Sequence, residues 1–319
     1  MYEGTVDGPL TEEERDVTRR CRDFYEQCHF PGNRPLDHDG LILTRRFASS
    51  VARCAREKKG KQIRVLDAGC GTGNTSIALA RQYKNVEFVG LDNSAASLEK
   101  ARQEAERQQI RNLSFLRWDL MNPVPYDGKL DIVLCLGVLH HTANMARALC
   151  NLRNCLDTWG DLYLWIYGRH GRHRHSLNVR LLAMLLGTGA RTAAASDLAM
   201  EFAFNVDNGA PLDDLLGRNR LDPMHRLTLE DPVWIADQFL NPHETLLDLE
   251  ELTGLATACG LEIEQLLGIR DDLSSYFNSA ALYGRFRKLS GEDRLIALDL
   301  LLKPERYFVL LRNRSGLGA

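Results

Sequence analysis

The sequence predicts an α/β fold: a mostly parallel, seven-stranded sheet with helices on both faces, preceded by N-terminal helices and interrupted by a mainly helical cap. Short apolar runs alternate with helically patterned segments from Ile63 onward, as in parallel strands joined by right-handed crossovers. The first run enters a glycine-rich turn, Asp67-Ala68-Gly69-Cys70-Gly71-Thr72-Gly73-Asn74, and an alanine- and leucine-rich helix follows at once. The next three runs end in acidic or polar residues, at the strand ends where open α/β sheets bind ligands.

Residues 1–60 form an N-terminal helical segment. Charged and apolar residues from Thr11 to Cys28 follow helical spacing, with Val17, Cys21, Phe24, Tyr25 and Cys28 on one stripe. The stretch His29 to Pro35 breaks that helix. A second is expected from Asp39 or Gly40 to about Glu57, before the basic Lys58-Lys59-Gly60-Lys61 linker.

Residues 61–168 hold the first five strands. Val65-Leu66 leads into the turn, and a helix from Thr75 to Arg81 follows. Val86 to Leu91 ends in Asp92, Leu113 to Trp118 ends in Asp119-Leu120, and Leu130 to Gly137 leads into Val138-Leu139-His140-His141-Thr142. A turn over Leu156 to Asp161 is expected before the fifth strand, Asp161 to Tyr167.

Residues 169–242 are an insertion. It opens with Arg169-His170-Gly171-Arg172-His173-Arg174-His175, read as a solvated loop with one arginine tied to a cap carboxylate or as an anion clamp, and continues as an apolar helix from Leu177 to Leu186. From Asp197 to Asp248 acids predominate, among them Asp207, Asp213, Asp214, Asp222, Asp231, Asp237 and Glu244. Because it leaves the C-terminal end of a strand, this insertion is expected to cap the ligand and line a substrate pocket. Residues 243–319 return to the sheet through a helix at Leu249 to Cys259 and strands at Leu261 to Gly268 and Arg306 to Asn313, with a helical insertion at 271–302.

With 40 Lys and Arg against 43 Asp and Glu in 319 residues, the chain lacks the basic excess of a nucleic-acid binder. Its eight cysteines include no Cys-x-x-Cys pair, so reduced thiols and no metal are expected. No basic segment followed by an apolar core precedes the first helix, and no apolar stretch is long enough to cross a bilayer. A cytoplasmic, soluble protein is the expectation.

The turn specifies its ligand. Its glycines follow Gly-x-Gly-x-Gly, whereas a dinucleotide pyrophosphate requires Gly-x-Gly-x-x-Gly, and Asn74 stands where the third glycine would be. Asp67 would repel a phosphate and attract a cation, which also disfavours a dehydrogenase. A nucleoside-like, positively charged ligand is implied, and Asp92, about 20 residues beyond the glycines, is the ribose candidate.

These residues resemble the class I S-adenosylmethionine-dependent methyltransferases, well over Ile63 to Gly168 and more loosely over Leu246 to Asn313. The resemblance implies a Rossmann-like sheet whose last strand inserts antiparallel beside the sixth, and S-adenosyl-L-methionine as cofactor. It implies that Asp67 to Gly73 holds the methionine part, Asp92 the ribose and Asp119 the adenine amino group. Gly69, Cys70, Gly71, Gly73, Asn74, Asn93, Leu120 and Leu136 complete the candidate cofactor set. Gly137 to Thr142 resembles the fourth-strand exit of small-molecule methyltransferases. Leu156 to Asp161 departs from the Leu-Lys-Pro-Gly-Gly turn usual in that group.

His141, His140 and Tyr167, at strand ends facing the site, are the candidate catalytic residues, with His141 favoured as a base. Tyr25, Arg169 and Arg172 are candidate substrate contacts. The expected reaction is methyl transfer to an N or O atom of a small metabolite. A macromolecular methyltransferase docking tRNA or protein along Arg169 to Arg191, and a non-catalytic cofactor-binding regulator, are the alternatives.

Overall fold

The computed structural model describes residues 8–31, 38–126, 129–187, 195–205, 231–270 and 272–314, with side chains given for all of these except 38–41 and 203–205. Asp207, Asp213, Asp214, Asp222 and Arg191 lie outside them. Seven strands form one sheet: β1 Ile63–Ala68, β2 Val86–Asp92, β3 Leu113–Arg117, β4 Leu130–Leu136, β5 Leu156–Tyr167, β6 Leu261–Leu266 and β7 Arg306–Asn313. Their order is β3-β2-β1-β4-β5-β7-β6; the first five are parallel, and β7 runs antiparallel between β5 and β6.

Strands this apolar form a sheet covered on both faces, and the side chains divide with period two. On one face Leu66, Ala68, Val133 and Cys135 pack against helices α5 (Met145–Cys155) and α9 (Leu249–Ala258). On the other, Val65, Phe88, Ile132 and Leu134 pack against α2 (His38–Glu57) and α3 (Asn74–Gln82) through Phe47, Cys54 and Leu79. The chain order reverses between β1 and its neighbours β2 and β4, which opens the ligand crevice at their C-terminal ends.

Two local expectations are corrected. The turn expected over Leu156 to Asp161 lies inside β5: Leu130 pairs with Leu156 and Ile132 with Asp161, so the extra residues form a bulge in a continuous strand. Cys150 and Cys259 are joined by a disulfide, with Cα atoms 5.0 Å apart, whereas all eight cysteines were expected to be reduced. The bond links neighbouring helices α5 and α9, a proximity that a separation of 109 residues concealed.

Helix α1 (Glu12–Tyr25) begins with a capping box, in which the Thr11 hydroxyl accepts from the Glu14 amide and Glu14 reaches back to the Thr11 amide. Its apolar stripe does not pack on the sheet. Phe24 and Cys28 join Leu182 of α6 (His173–Leu186), Ala199 and Phe202 of α7 (Ser196–Asn205), and Ile235 and Phe239 of α8 (Pro232–Leu240) in a separate small core. The N-terminal helix and the cap thus form one layer above the sheet. Glu26, just past α1, fastens it by accepting from the amides of Ala95 and Ala96 at the start of α4 (Ala95–Arg107), each at 2.9 Å. The insertion near the C-terminus contributes α10 (Ala280–Phe286) and α11 (Gly291–Leu302), packed around Leu273, Phe286 and Leu298.

Candidate active site

The turn after β1 is held to β2 by the Gly69 and Cys70 amides, which both donate to the Leu91 carbonyl at 2.7 and 2.9 Å. Gly71 has φ +53°, and a Cβ there would lie 2.3 Å from the Phe30 carbonyl oxygen, so only glycine lets the N-terminal segment pass this close. Asp92 organises the same corner: Oδ2 accepts from the Gly71 amide and Oδ1 from the Ser94 amide, both at 2.8 Å. Asp119 accepts from the Met121 amide at 3.0 Å. Asp67 accepts from the Ser76 hydroxyl.

These three carboxylates stand at or just beyond the ends of β1, β2 and β3 and line one cleft of about 1130 Å³, including its open mouth. Burial pushes each of them upward, Asp67 to about 6, with the neighbouring Asp92 adding to that rise. A cleft that holds buried carboxylates above their ordinary range fits a ligand bearing a cation and several N–H and O–H donors. An amino-acid sulfonium joined to a nucleoside has that composition. When deprotonated, Asp67 supplies negative charge where the turn leaves β1, and Asp92 retains acceptor capacity beside Asn93.

Of the cofactor candidates, Asp67, Gly69, Cys70, Gly71, Asn74, Asp92, Asn93, Asp119, Leu120 and Leu136 all line the cleft. Gly73 is not on its wall; at φ +81° it caps α3 instead. Burial pushes the Cys70 thiol well up, which keeps it protonated.

The opposite wall comes from α1 and the segment after it: Thr18, Cys21, Arg22, Tyr25, Phe30 and Pro31. Of these only Tyr25 was anticipated. Thr18, Cys21, Arg22 and Tyr25 recur at the spacing of one helical face, which shares Cys21 and Tyr25 with the apolar stripe, and that periodicity was the available signal. The cap was expected to line the pocket, yet among the described residues it contributes no side chain to the wall. It backs the wall instead: the Tyr25 hydroxyl donates to Asp237 at 2.8 Å and accepts from Asn241 at 2.7 Å.

The three catalytic candidates separate. His141, in the 3₁₀ turn Leu139–His141 after β4, lines the cleft, and its Nδ1 donates to the His243 carbonyl at 2.7 Å, which leaves Nε2 as an acceptor. His140 is fully buried between the His141 and Tyr167 rings, with centroids 4.1 and 4.2 Å away, and neither of its nitrogens has a hydrogen-bond partner among the described residues. Burial holds it well below the usual imidazole range. It is a neutral packing residue away from the cleft. Tyr167 is likewise off the wall: its hydroxyl accepts from Gln238 at 2.7 Å, and burial pushes its titration upward.

The arginine candidates also lie away from the cleft. Arg172, 2% exposed, stacks 3.5 Å over the Tyr167 ring and donates to Gln238 and Glu244 at 3.0 and 3.1 Å. Arg169 pairs with Glu251 at 2.7 Å and Asp248 at 3.4 Å near the start of α9. The segment that opens the insertion thus ties an arginine, Arg172, to a carboxylate, Glu244, as one of the two readings expected, but it is not a solvated loop throughout, since Arg172 is buried and α6 already begins at His173. Among the described residues no group of three or more His, Cys, Asp or Glu side chains could hold a metal, and no helix is long and apolar enough to cross a membrane.

Comparison with known proteins extends this description. A methyltransferase-domain family matches residues 59–167. An uncharacterized protein of Synechococcus sp. is 27% identical over 94% of this chain and 73% of its own length. The probable (S)-tetrahydroprotoberberine N-methyltransferase 2 of Papaver bracteatum is 33% identical, over 40% of this chain and 34% of its own. Among solved structures, PKMT2 from Rickettsia typhi shares the fold at a TM-score of 0.60 and 16% identity, covering 97% of this chain and 55% of that one. This chain thus spans about half of PKMT2 and about a third of the plant protein. The domain match over residues 59–167 and the shared fold, joined to the carboxylates at the strand ends, support a class I S-adenosylmethionine-dependent methyltransferase.

Proposed function

We propose that this chain transfers a methyl group to a nitrogen or oxygen atom of a small metabolite, with His141 as the proton acceptor. The observation that carries this reading is the His141 ring on the cleft wall, its Nδ1 committed to the His243 carbonyl and its Nε2, 3.5 Å from Asn241 Nδ2, the nitrogen that keeps a basic lone pair. The other bases among the described lining side chains are Asp67, Asp92 and Asp119, which are assigned here to the cofactor's methionine part, ribose and adenine amino group. Bound S-adenosylmethionine supplies an activated methyl: the acceptor lone pair forms the new bond to carbon, and the sulfur–carbon pair returns to sulfur. What remains for the protein is alignment and removal of the acceptor's proton, which passes to His141 Nε2.

A small acceptor is supported by the roof of α1 over the cleft and by the partial match to a protein named as a probable (S)-tetrahydroprotoberberine N-methyltransferase. Docking of a nucleic acid along Arg169 to Arg191 is disfavoured because Arg169 and Arg172 are already committed to carboxylates. The test is transfer of labelled methyl from S-adenosylmethionine into a host-cell extract separated by size. Label in the small-molecule fraction is expected; label confined to RNA or protein would overturn the reading.

A further inference from the structure

His141 is one end of a buried polar chain that runs from the sheet through α1 into the cap. Its Nε2 lies 3.5 Å from Asn241 Nδ2, the same amide donates to the Tyr25 hydroxyl at 2.7 Å, and Tyr25 donates to Asp237 Oδ1 at 2.8 Å. Asp237, on α8, is 4% exposed, and its other oxygen accepts from Gln238 Nε2 at 3.0 Å. No Lys or Arg among the described residues forms an ion pair with it; the nearby Arg172 is paired with Glu244.

We propose that Asp237 is the counter-charge for the imidazolium that His141 becomes on taking the acceptor's proton, a positioning residue whose carboxylate faces the ring across Tyr25. The proposal rests on the reading of His141 as the base. A proton delivered to a buried ring creates a charge that low-dielectric surroundings oppose unless an opposite charge faces it. The titratable groups around the ring are His140 beside it, Tyr167 on β5, Tyr25 and Cys21 on α1, the Cys21 thiol kept protonated by burial, and His243 and Asp237 from the cap side. Burial keeps both tyrosines protonated and lowers both neighbouring histidines, so none of these four supplies negative charge near neutrality. Glu244 is ion-paired with Arg172, which also lies near enough to Asp237 to lower it, so Asp237 is the carboxylate near the ring that forms no ion pair among the described residues. Burial raises its own carboxyl, and a positive charge on His141 draws it back down, the reciprocal of the coupling proposed. The described part of the cap, absent from the cleft wall, would thereby govern the chemistry from behind it.

The test is the ring titration of His141, followed by NMR in full-length, histidine-labelled protein saturated with S-adenosylhomocysteine and assigned with His141→Gln. Asp237→Asn is expected to move the midpoint to lower pH by about half a unit or more, and Asp237→Glu to restore most of it. Tyr25→Phe, which removes the hydroxyl donor from Asp237, is expected to move it the same way by less, and it serves if Asp237→Asn does not fold. A midpoint within about 0.2 unit of wild type in a folded, ligand-binding Asp237→Asn, or failing that in Tyr25→Phe, overturns the proposal. Abolished transfer in His141→Gln with an unmoved titration defeats only the counter-charge. Unaltered transfer in His141→Gln with a moved titration defeats only the base.

Discussion

Asp67→Asn is expected to stabilise the ligand-free protein while weakening its hold on S-adenosylmethionine. Asp67 closes β1 at 4% exposure, and burial lifts its carboxyl from the ordinary 3.8 to about 6. Between those values the folded chain retains a proton that the unfolded chain releases. Stability is therefore greatest below the unfolded value and falls as pH rises through about 6. A shift of about two units corresponds to roughly 3 kcal/mol of destabilisation once the group is ionised in both states. Asparagine carries no charge and can still accept from the Ser76 hydroxyl, so the variant escapes this cost. Urea unfolding without cofactor should show Asp67→Asn more stable by up to about 3 kcal/mol near pH 8, with the gap closing towards pH 4. In calorimetry the variant should bind S-adenosylmethionine more weakly, and wild-type binding should tighten as pH rises through about 6, because the cation favours the ionised carboxylate. A variant less stable than wild type, or a gap independent of pH, would refute the assignment of Asp67 as a strained, ligand-compensated carboxylate.

Asp92→Ala removes the candidate ribose acceptor and leaves the Gly71 and Ser94 amides without theirs. Calorimetry with S-adenosylhomocysteine should show a loss on the order of 1.5 to 3 kcal/mol, and no loss would mean that the ribose is held elsewhere. Gly71→Ala forces a Cβ against the Phe30 carbonyl at positive φ and should speed amide exchange along α1; unchanged exchange would show that the turn relaxes without lifting that helix. Once an acceptor is identified, His141→Ala should lower turnover by roughly 10²- to 10⁴-fold with little change in cofactor affinity, and an unaltered rate would exclude it as the base.

Much of the sheet and the cofactor half of the cleft could be read from the sequence because each rests on neighbouring residues. Strand periodicity is set two residues at a time, and the turn from Asp67 to Gly73 is one continuous segment whose glycines and carboxylate state their own geometry. Asp92 and Asp119 were legible for the same reason, since a strand end positions its last side chain whatever packs above it. Nearly all the residues named from those local patterns line the cleft.

What failed depended on partners far along the chain. His140 and His141 are adjacent and chemically identical, yet one is sealed between aromatic rings and the other lines the cleft, because a 3₁₀ turn sends consecutive side chains in different directions. Arg172 looked like an anion ligand until Glu244, Gln238 and the Tyr167 ring enclosed it. The cysteine pair, the union of α1 with the cap and the hydrogen bond from Tyr25 to Asp237, 212 residues away, have no local signature. The sequence by itself determined the strands, the glycine turn and the carboxylates of a sulfonium–nucleoside site, since short-range sterics and side-chain alternation specify them. Only the tertiary structure decided which polar groups were neutralised by burial or pairing and which of the two histidines reached the cleft wall, because desolvation and charge pairing depend on surroundings assembled from the whole chain.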